Sequence, residues 1–285
     1  MKQKPVALGV IFLGFSLYTN ADTIEFPGCV EGEVLNTEVH LYIDESMLLE
    51  YSKAFIASKV ATWEGYSNLV LKNSCIPMWR KVTQITYTSA IDSLWFQNVS
   101  AAERLLKLLM EDPIEEITED GRPIFTGVVF SNYHSAFESR YCGVASKASR
   151  FFSLAINCPD STMEHEIGHM SGANHDYKTV LKDYATIEHF IADRYPKAPA
   201  YSFGATCAER GTVMSYERDI IPAYSSPEIR VNGQQCGDNA HHNNARVLRE
   251  FADTHLKLID SKKISRANTE NNQTVRWRLK TGQGK

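Results

Sequence analysis

Apolar and polar positions along the chain change their period several times, and each change marks an element. Residues 38–44 read EVHLYID, with Val39, Leu41 and Ile43 alternating against Glu38, His40 and Asp44, the period of a strand. From 45 to 72 the spacing of Leu48, Leu49, Tyr51, Phe55, Ile56, Val60, Ala61 and Trp63 is helical. β-branched alternation returns over 81–90, and 100–112 (SAAERLLKLLMED) is an amphipathic helix with Ser100 as cap and Glu103 at the capping-box position. Strands follow over 124–133, 141–146 and 150–157, the last two joined by a short basic turn, and a helix then carries TMEHEIGHM. Further helices are expected over 179–195 and 240–260. The order β, α, β, α, β, β, β, α predicts a mainly parallel, twisted sheet with helices packed on it. No repeat and no Gly-rich linker divides the chain, so residues 22–260 are expected to form one unit.

Composition supports that reading: 285 residues with 43% hydrophobic content can bury one sizeable core. Residues 1–21 carry Lys2 and Lys4, then an uncharged run from Pro5 to Thr19, then small residues. This is the pattern of a secretory signal peptide, and the run is shorter than the roughly 20 residues a membrane span needs. A secreted (extracellular or periplasmic) protein, with no stable membrane insertion after cleavage, is expected. Six cysteines follow the leader, none in a C-x-x-C pair, which points to disulfides rather than a cysteine metal site. Sequence order suggests Cys29–Cys75, Cys142–Cys158 and Cys207–Cys236 among fifteen possible connectivities.

Charge is distributed unevenly. Residues 261–285 hold seven Lys or Arg against Glu270 alone, leaving 22–260 with 21 basic and 33 acidic residues, a net of −12. The tail reads as a basic, flexible extension; such a tail can dock on nucleic acid, membrane or polyanionic glycans, but a solvated extension is favoured, no nucleic acid is expected as a partner, and a monomer is expected. The acidic stretch 111–120 (EDPIEEITED) makes Ca²⁺ conceivable, but its spacing matches no calcium loop and a solvated loop is favoured.

The chemistry concentrates in HEIGHMSGANHD, residues 165–176. On a helix His165 and His169 are one turn apart on one face and can share a metal ion. Glu166 points about 100° further round, within reach of a water on the metal without ligating it. Gly172 suits a sharp turn after the helix, and the turn lets His175 return as a third ligand. Three protein ligands with a fourth position open is the catalytic arrangement for zinc. With average residue frequencies, the six fixed positions arise by chance in roughly two chains per million of this length.

His165-Glu166-x-x-His169-x-x-Gly172-x-x-His175-Asp176 resembles the signature of the metzincin zinc endopeptidases, and Asp176 after the third histidine resembles the adamalysin or reprolysin branch. The resemblance covers most of 38–260, with only the histidine helix and the methionine turn highly specific. It implies an α+β fold: an α/β-like upper subdomain to about residue 174, with a twisted mixed five-stranded sheet and helices above it. A smaller irregular lower subdomain from 175 would end in a C-terminal helix. It implies one Zn²⁺ held by His165, His169 and His175, with Glu166 as general base, and Met214 of GTVMSY (211–216) in the tight turn beneath the metal. It also implies an antiparallel edge strand at CGVAS, whose Gly143, Val144 and Ala145 would pair with an extended protein or peptide substrate. Pro222 and Tyr224 of IPAYSSPEI (221–229) would form a wall of the main specificity pocket. Tyr216 matches a tyrosine that in related branches approaches the zinc; it would act as a fifth ligand or oxyanion donor, or simply pack. Asp176 is expected to secure the chain after the third ligand. The stretch 177–205 is longer than in compact relatives and is expected to lie over one side of the cleft. The alternative function is a catalytically weak binding or toxin-like module on the same fold.

Overall fold

The computed structural model describes residues 23–96, 98–110, 114–131, 141–146, 148–194 and 198–281; the expected leader, 1–21, lies outside them. After the short β1 (Ile24–Glu25) come β2 (Leu35–Asp44), α1 (Lys53–Asn73), β3 (Met78–Thr88), α2 (Val99–Leu109), β4 (Ile124–Phe130), β5 (Gly143–Ser146), β6 (Phe151–Ala155) and α3 (Thr162–Met170). The remainder is more irregular: α4 (Tyr177–Val180), α5 (Ile187–Arg194), the two-residue strands β7 (Thr206–Cys207) and β8 (Arg210–Gly211), β9 (Ser226–Val231), β10 (Gln234–Cys236) and α6 (Asn244–Thr281).

The main sheet has the order β3-β2-β4-β6-β5. β2 runs parallel to β3 and to β4, and β4 to β6, while β5 is the antiparallel edge. Every residue of β4 is buried, as a central parallel strand covered on both faces requires. Val39, Leu41, Ile43, Phe125, Phe152 and Leu154 face α1 and α3, packing with Trp63 and Ile167. Tyr42, Val128, Phe130 and Phe151 turn to the opposite face with Leu106 of α2. A third cluster, with Leu35, Val70, Met78, Met214, Tyr224 and Leu248, joins the sheet to the lower part of the molecule.

Several expected boundaries move, each for a local reason. The helix expected from residue 45 is split: the Asp44 side chain accepts from Ser46 N and supports a 3₁₀ turn, Glu45–Leu49, before Ser52 caps α1 through Phe55 N. Asn98, not Ser100, caps α2 by accepting from Ala101 N, and Glu103 instead meets Lys107 and Ser149. The helix expected over 179–195 is two helices, the second opened by Thr186 Oγ1 accepting from His189 N. The segment expected as a flexible tail is helical through Thr281; no Gly or Pro interrupts Asn244–Thr281, and Gly282 follows. In the acidic loop, Asp120 pairs with Arg122. All three expected disulfides are formed, Cys29–Cys75, Cys142–Cys158 and Cys207–Cys236. No helix among the described residues is long and apolar enough to cross a membrane.

Below α3 lies a fully buried ion pair. Arg80 of β3 donates from Nε and Nη2 to the two carboxylate oxygens of Glu164, each at 3.2 Å, and from Nη1 to Thr37 Oγ1 at 3.2 Å. Tyr224 donates to Glu164 Oε1 at 2.7 Å, and both ionic side chains are 0% exposed. Removing one partner strands a charge, so Arg80→Ala is expected to cost about 3–5 kcal/mol in urea unfolding, against a small effect for Lys81→Ala on the exposed side of the same strand.

A second tie joins α6 to the β5–β6 turn. His255 Nδ1 faces Phe251 O at 2.9 Å, which makes Nε2 the acceptor for Arg150 Nη2 at 3.1 Å. Burial first, and then the Arg150 charge, hold the His255 pKa below its ordinary value, against the pull of the Phe251 carbonyl. The unfolded chain therefore takes up the proton first. Stability from this contact is complete above about pH 6.5, the unfolded histidine value, and declines as pH falls toward the lower folded value. Thermal melts of His255→Gln are expected to show a shallower loss between neutral and mildly acid pH than wild type.

Candidate active site

α3 is held at both ends. Thr162 N and Oγ1 both donate to Pro159 O, and Lys59 of α1 reaches Cys158 O at 2.9 Å and Asp160 Oδ1 at 2.6 Å. At the far end Gly172 takes φ +100°, Ala173 N donates to Gly168 O, and Gly172 N donates to His169 O. These are the two hydrogen bonds of a Schellman cap, and they turn the chain back so that His175 meets the helix face it has just left.

His165 Nε2 lies 3.0 Å and His169 Nε2 2.9 Å from His175 Nε2. The opposite nitrogens explain which atoms converge. His165 Nδ1 faces Val213 O at 2.8 Å and His169 Nδ1 faces Ala173 O at 3.0 Å; a carbonyl only accepts, so each Nδ1 carries the proton and each Nε2 presents a lone pair. A lone ring proton on His175 could satisfy at most one of its two neighbours. The donor set fits a cation: a tetrahedral zinc with bonds of about 2.0–2.1 Å separates its ligand atoms by about 3.3 Å, a few tenths of an ångström more than the spacing here. Among the described residues this triad is the one group of His, Cys, Asp or Glu with that spacing.

His175 is fixed through its neighbours. Asn174 N donates to Ser202 O, Gly204 N to Asn174 O, and Asn244 Nδ2 to Asn174 O at 3.0 Å. Asp176, buried, accepts from Thr179 N and Oγ1, each at 2.9 Å, and caps α4. Met214 is fully buried in a turn closed by Ser215 N donating to Thr212 O. A Cβ on Gly168, just before His169, would stand 2.8 Å from Met214 Sδ and 2.8 Å from Tyr224 Oη. The same turn supplies the Val213 carbonyl that orients His165.

Glu166, 4% exposed, and His165 line a cavity of about 360 Å³ together with Gly143, Thr162, Val213 and Tyr216. The Tyr216 ring centroid is 5.5 Å from that of His165 and 4.6 Å from that of His175. Surrounding protein first, then the negative charge of Glu166, raise the phenol pKa, so it is a hydrogen-bond donor at neutral pH. Gly143 packs on Glu166: a Cβ there would be 2.7 Å from Glu166 Cγ. Val144 and Ala145 are half-buried and pair with Ser153 and Phe152 of β6.

Two expected wall residues are elsewhere. Tyr224 is 0% exposed because its hydroxyl is spent on Glu164, so it braces α3 from below. Pro222 offers its carbonyl to Asn73 Nδ2 at 2.9 Å, and the cavity wall after the methionine turn is formed by Ser215, Tyr216, Glu217 and Ile220. Described residues of 177–205 do not line this cavity; they build a small cluster around Val180, Phe190 and Phe203. Sequence reasoning passed over Gly168, Glu164 and Arg80. The glycine within TMEHEIGHM was the available signal, since a glycine in a helix interior usually has a packing reason.

No family model matches this chain, and no curated protein matches it in sequence. Among solved structures, one chain of a chaperone–substrate complex is similar over 78% of this chain, with a TM-score of 0.53 and 14% identity. This chain spans about a third of that one, 34% of its length, and the likeness concerns fold alone. Mature mirolysin of Tannerella forsythia, solved with a cleaved peptide, aligns over 79% of this chain and 99% of its own, at 12% identity and a TM-score of 0.35. Metalloproteinase-II of Bacteroides fragilis aligns over 53% and 46%, at 13% identity and 0.28. TM-scores below 0.5 do not establish a shared fold. The molecule is thus a mixed α+β chain with a three-histidine candidate metal site.

Gly168→Ala tests the packing beneath that site. The added methyl must displace Met214 or Tyr224, and a loss of about 1–3 kcal/mol on thermal or urea unfolding is expected, together with weaker zinc binding by competition against a chromogenic chelator.

Proposed function

We propose that the protein is a secreted zinc-dependent endopeptidase of the metzincin type, hydrolysing internal peptide bonds of protein substrates. The observation that carries this reading is the convergence of three histidine ligand atoms within 4.8 Å of one another, with His165 lining the same cavity as Glu166 and Gly143 of the β5 edge. His165, His169 and His175 are the proposed ligands. Held by these three side chains, zinc would supply Lewis-acid polarisation of the scissile carbonyl and would lower the pKa of a nearby water toward 7.

The chain's own groups do the rest. Glu166 accepts the proton of the attacking water and returns it to the leaving amine. Tyr216, protonated and set over two of the histidine rings, donates to the carbonyl oxygen as negative charge develops. Met214 and Gly172 hold the ligand helix and its turn, and Asp176 holds the segment that returns His175. An extended substrate adds to the sheet along Gly143, Val144 and Ala145. The two sheet edges differ in a way that favours this. β3 carries a bulge, with Val39 opposite Val82 and His40 opposite Gln84, and an outward Lys81, devices that discourage pairing. β5 has no strand on its outer side among the described residues.

Residues 1–21 as a removed leader, 22–260 as the catalytic unit and 261–285 as a basic appendage remain part of the proposal, with the three disulfides supporting an oxidising destination. The adamalysin or reprolysin branch rests on Asp176 following the third histidine.

Glu166→Gln is expected to keep its zinc and lose about 10²–10⁴-fold in cleavage of an unfolded protein such as casein. Tyr216→Phe should lower kcat by about a hundredfold with KM little changed. Equal turnover by wild type and Glu166→Gln would remove the general base from the account.

A further inference from the structure

We infer that the Cys142–Cys158 disulfide positions the cleft: it holds β5 against Glu166, so opening it removes turnover while the metal site stays intact. The inference rests on the endopeptidase reading for its effect on turnover, and on geometry for the rest.

Cys142 lines the same cavity as Glu166, and the next residue, Gly143, is the one that packs on the Glu166 side chain. Cys158 precedes Pro159, which also lines that cavity and accepts the first hydrogen bonds of α3. The bridge therefore spans from the residue just before the edge strand to the entry of the histidine helix. Its α3 end is rigid, because Lys59 holds Cys158 O and Asp160. Its β5 end is a four-residue strand paired on one side only, with Ala155 N donating to Cys142 O at 3.0 Å, that packs through Val144 and Ala145 on the cores at either face of the sheet.

The identified ring contacts of the histidine ligands lie away from the bridge. Their second nitrogens are held by Val213 and Ala173, and His175 is set by Asn174 and Asp176. Removing the bridge thus frees the strand that touches the general base and would pair with substrate, and leaves the ligand set braced. Cys142 and Cys158 are positioning residues, not catalytic ones. The other two disulfides serve as internal controls, since neither Cys29–Cys75 nor Cys207–Cys236 lines the cavity.

The test compares full-length oxidised wild type with C142S/C158S and C29S/C75S, measuring zinc per chain, amide hydrogen exchange and cleavage of a quenched fluorescent peptide. C142S/C158S is expected to retain one zinc and protected α3 amides, to exchange faster at 143–146, and to lose about a hundredfold in kcat/KM; C29S/C75S should stay within about threefold of wild type. Wild-type kcat/KM in C142S/C158S overturns the inference, and so does loss of zinc in step with activity. If wild type cleaves no peptide the endopeptidase reading fails, while exchange at 143–146 still decides whether the bridge holds β5. Should C142S/C158S fail to fold, Gly143→Ala displaces the strand from Glu166 with the bridge intact. Turnover lost with zinc kept then supports the inference, and full turnover overturns it.

Discussion

Two imidazole lone pairs, on His165 and His169 Nε2, are aimed at His175 Nε2 from about 3 Å, and the rest of the structure is arranged to hold the three rings there. Left to themselves, histidines on a helix and on a loop rotate outward to water. Here each ring with an identified second partner is tethered through that partner, a backbone carbonyl, and both carbonyls belong to tight turns: Val213 to the methionine turn and Ala173 to the segment after the helix cap. Backbone carbonyls in closed turns move little, so ring orientation is inherited from the fold. A cation at the focus attracts these lone pairs, which is why the geometry and the proposed chemistry belong together.

The same economy appears beneath α3. Glu164 is one residue from His165 yet points into the interior, where Arg80 and Tyr224 satisfy it and Thr37 takes a further hydrogen bond from Arg80. A buried ion pair contributes little net stability compared with apolar packing, but it tolerates only one arrangement. It therefore fixes the rotation of α3 about its own axis, sending Glu164 inward while Glu166 faces the cavity. Gly168 completes this by letting Met214 and Tyr224 approach the helix more closely than any side chain would permit. Helix rotation, ligand orientation and placement of the proposed base are thus consequences of one small network that links β3, α3 and the turn around Met214.

Much of this was legible in the chain. Alternation marked β2 and β3, whose burial alternates along much of their length, and the histidine spacing marked the site because one helical turn sets the reach of both rings. What was not legible has common causes. Asn98 displaced Ser100 as a cap because the choice among neighbouring polar residues is made by which one lies just outside the first turn. The tail became helix because basic, apolar-poor composition speaks against a core but not against helical backbone. Tyr224 and Pro222 were expected on the cleft wall by resemblance, and only three-dimensional packing could show Tyr224 committed to Glu164. Arg80 is 84 residues from its partner, and nothing local announces a contact of that range.

Direct titration of the metal-free protein with zinc, followed by calorimetry, tests the central claim that the three histidines form a preorganised catalytic metal site. One zinc per chain is predicted, binding with little proton release at neutral pH because the ring protons sit on the nitrogens turned away from the metal, and the heat should vanish in His175→Ala. Binding that is absent, of different stoichiometry, or unchanged when His175 is removed would contradict it.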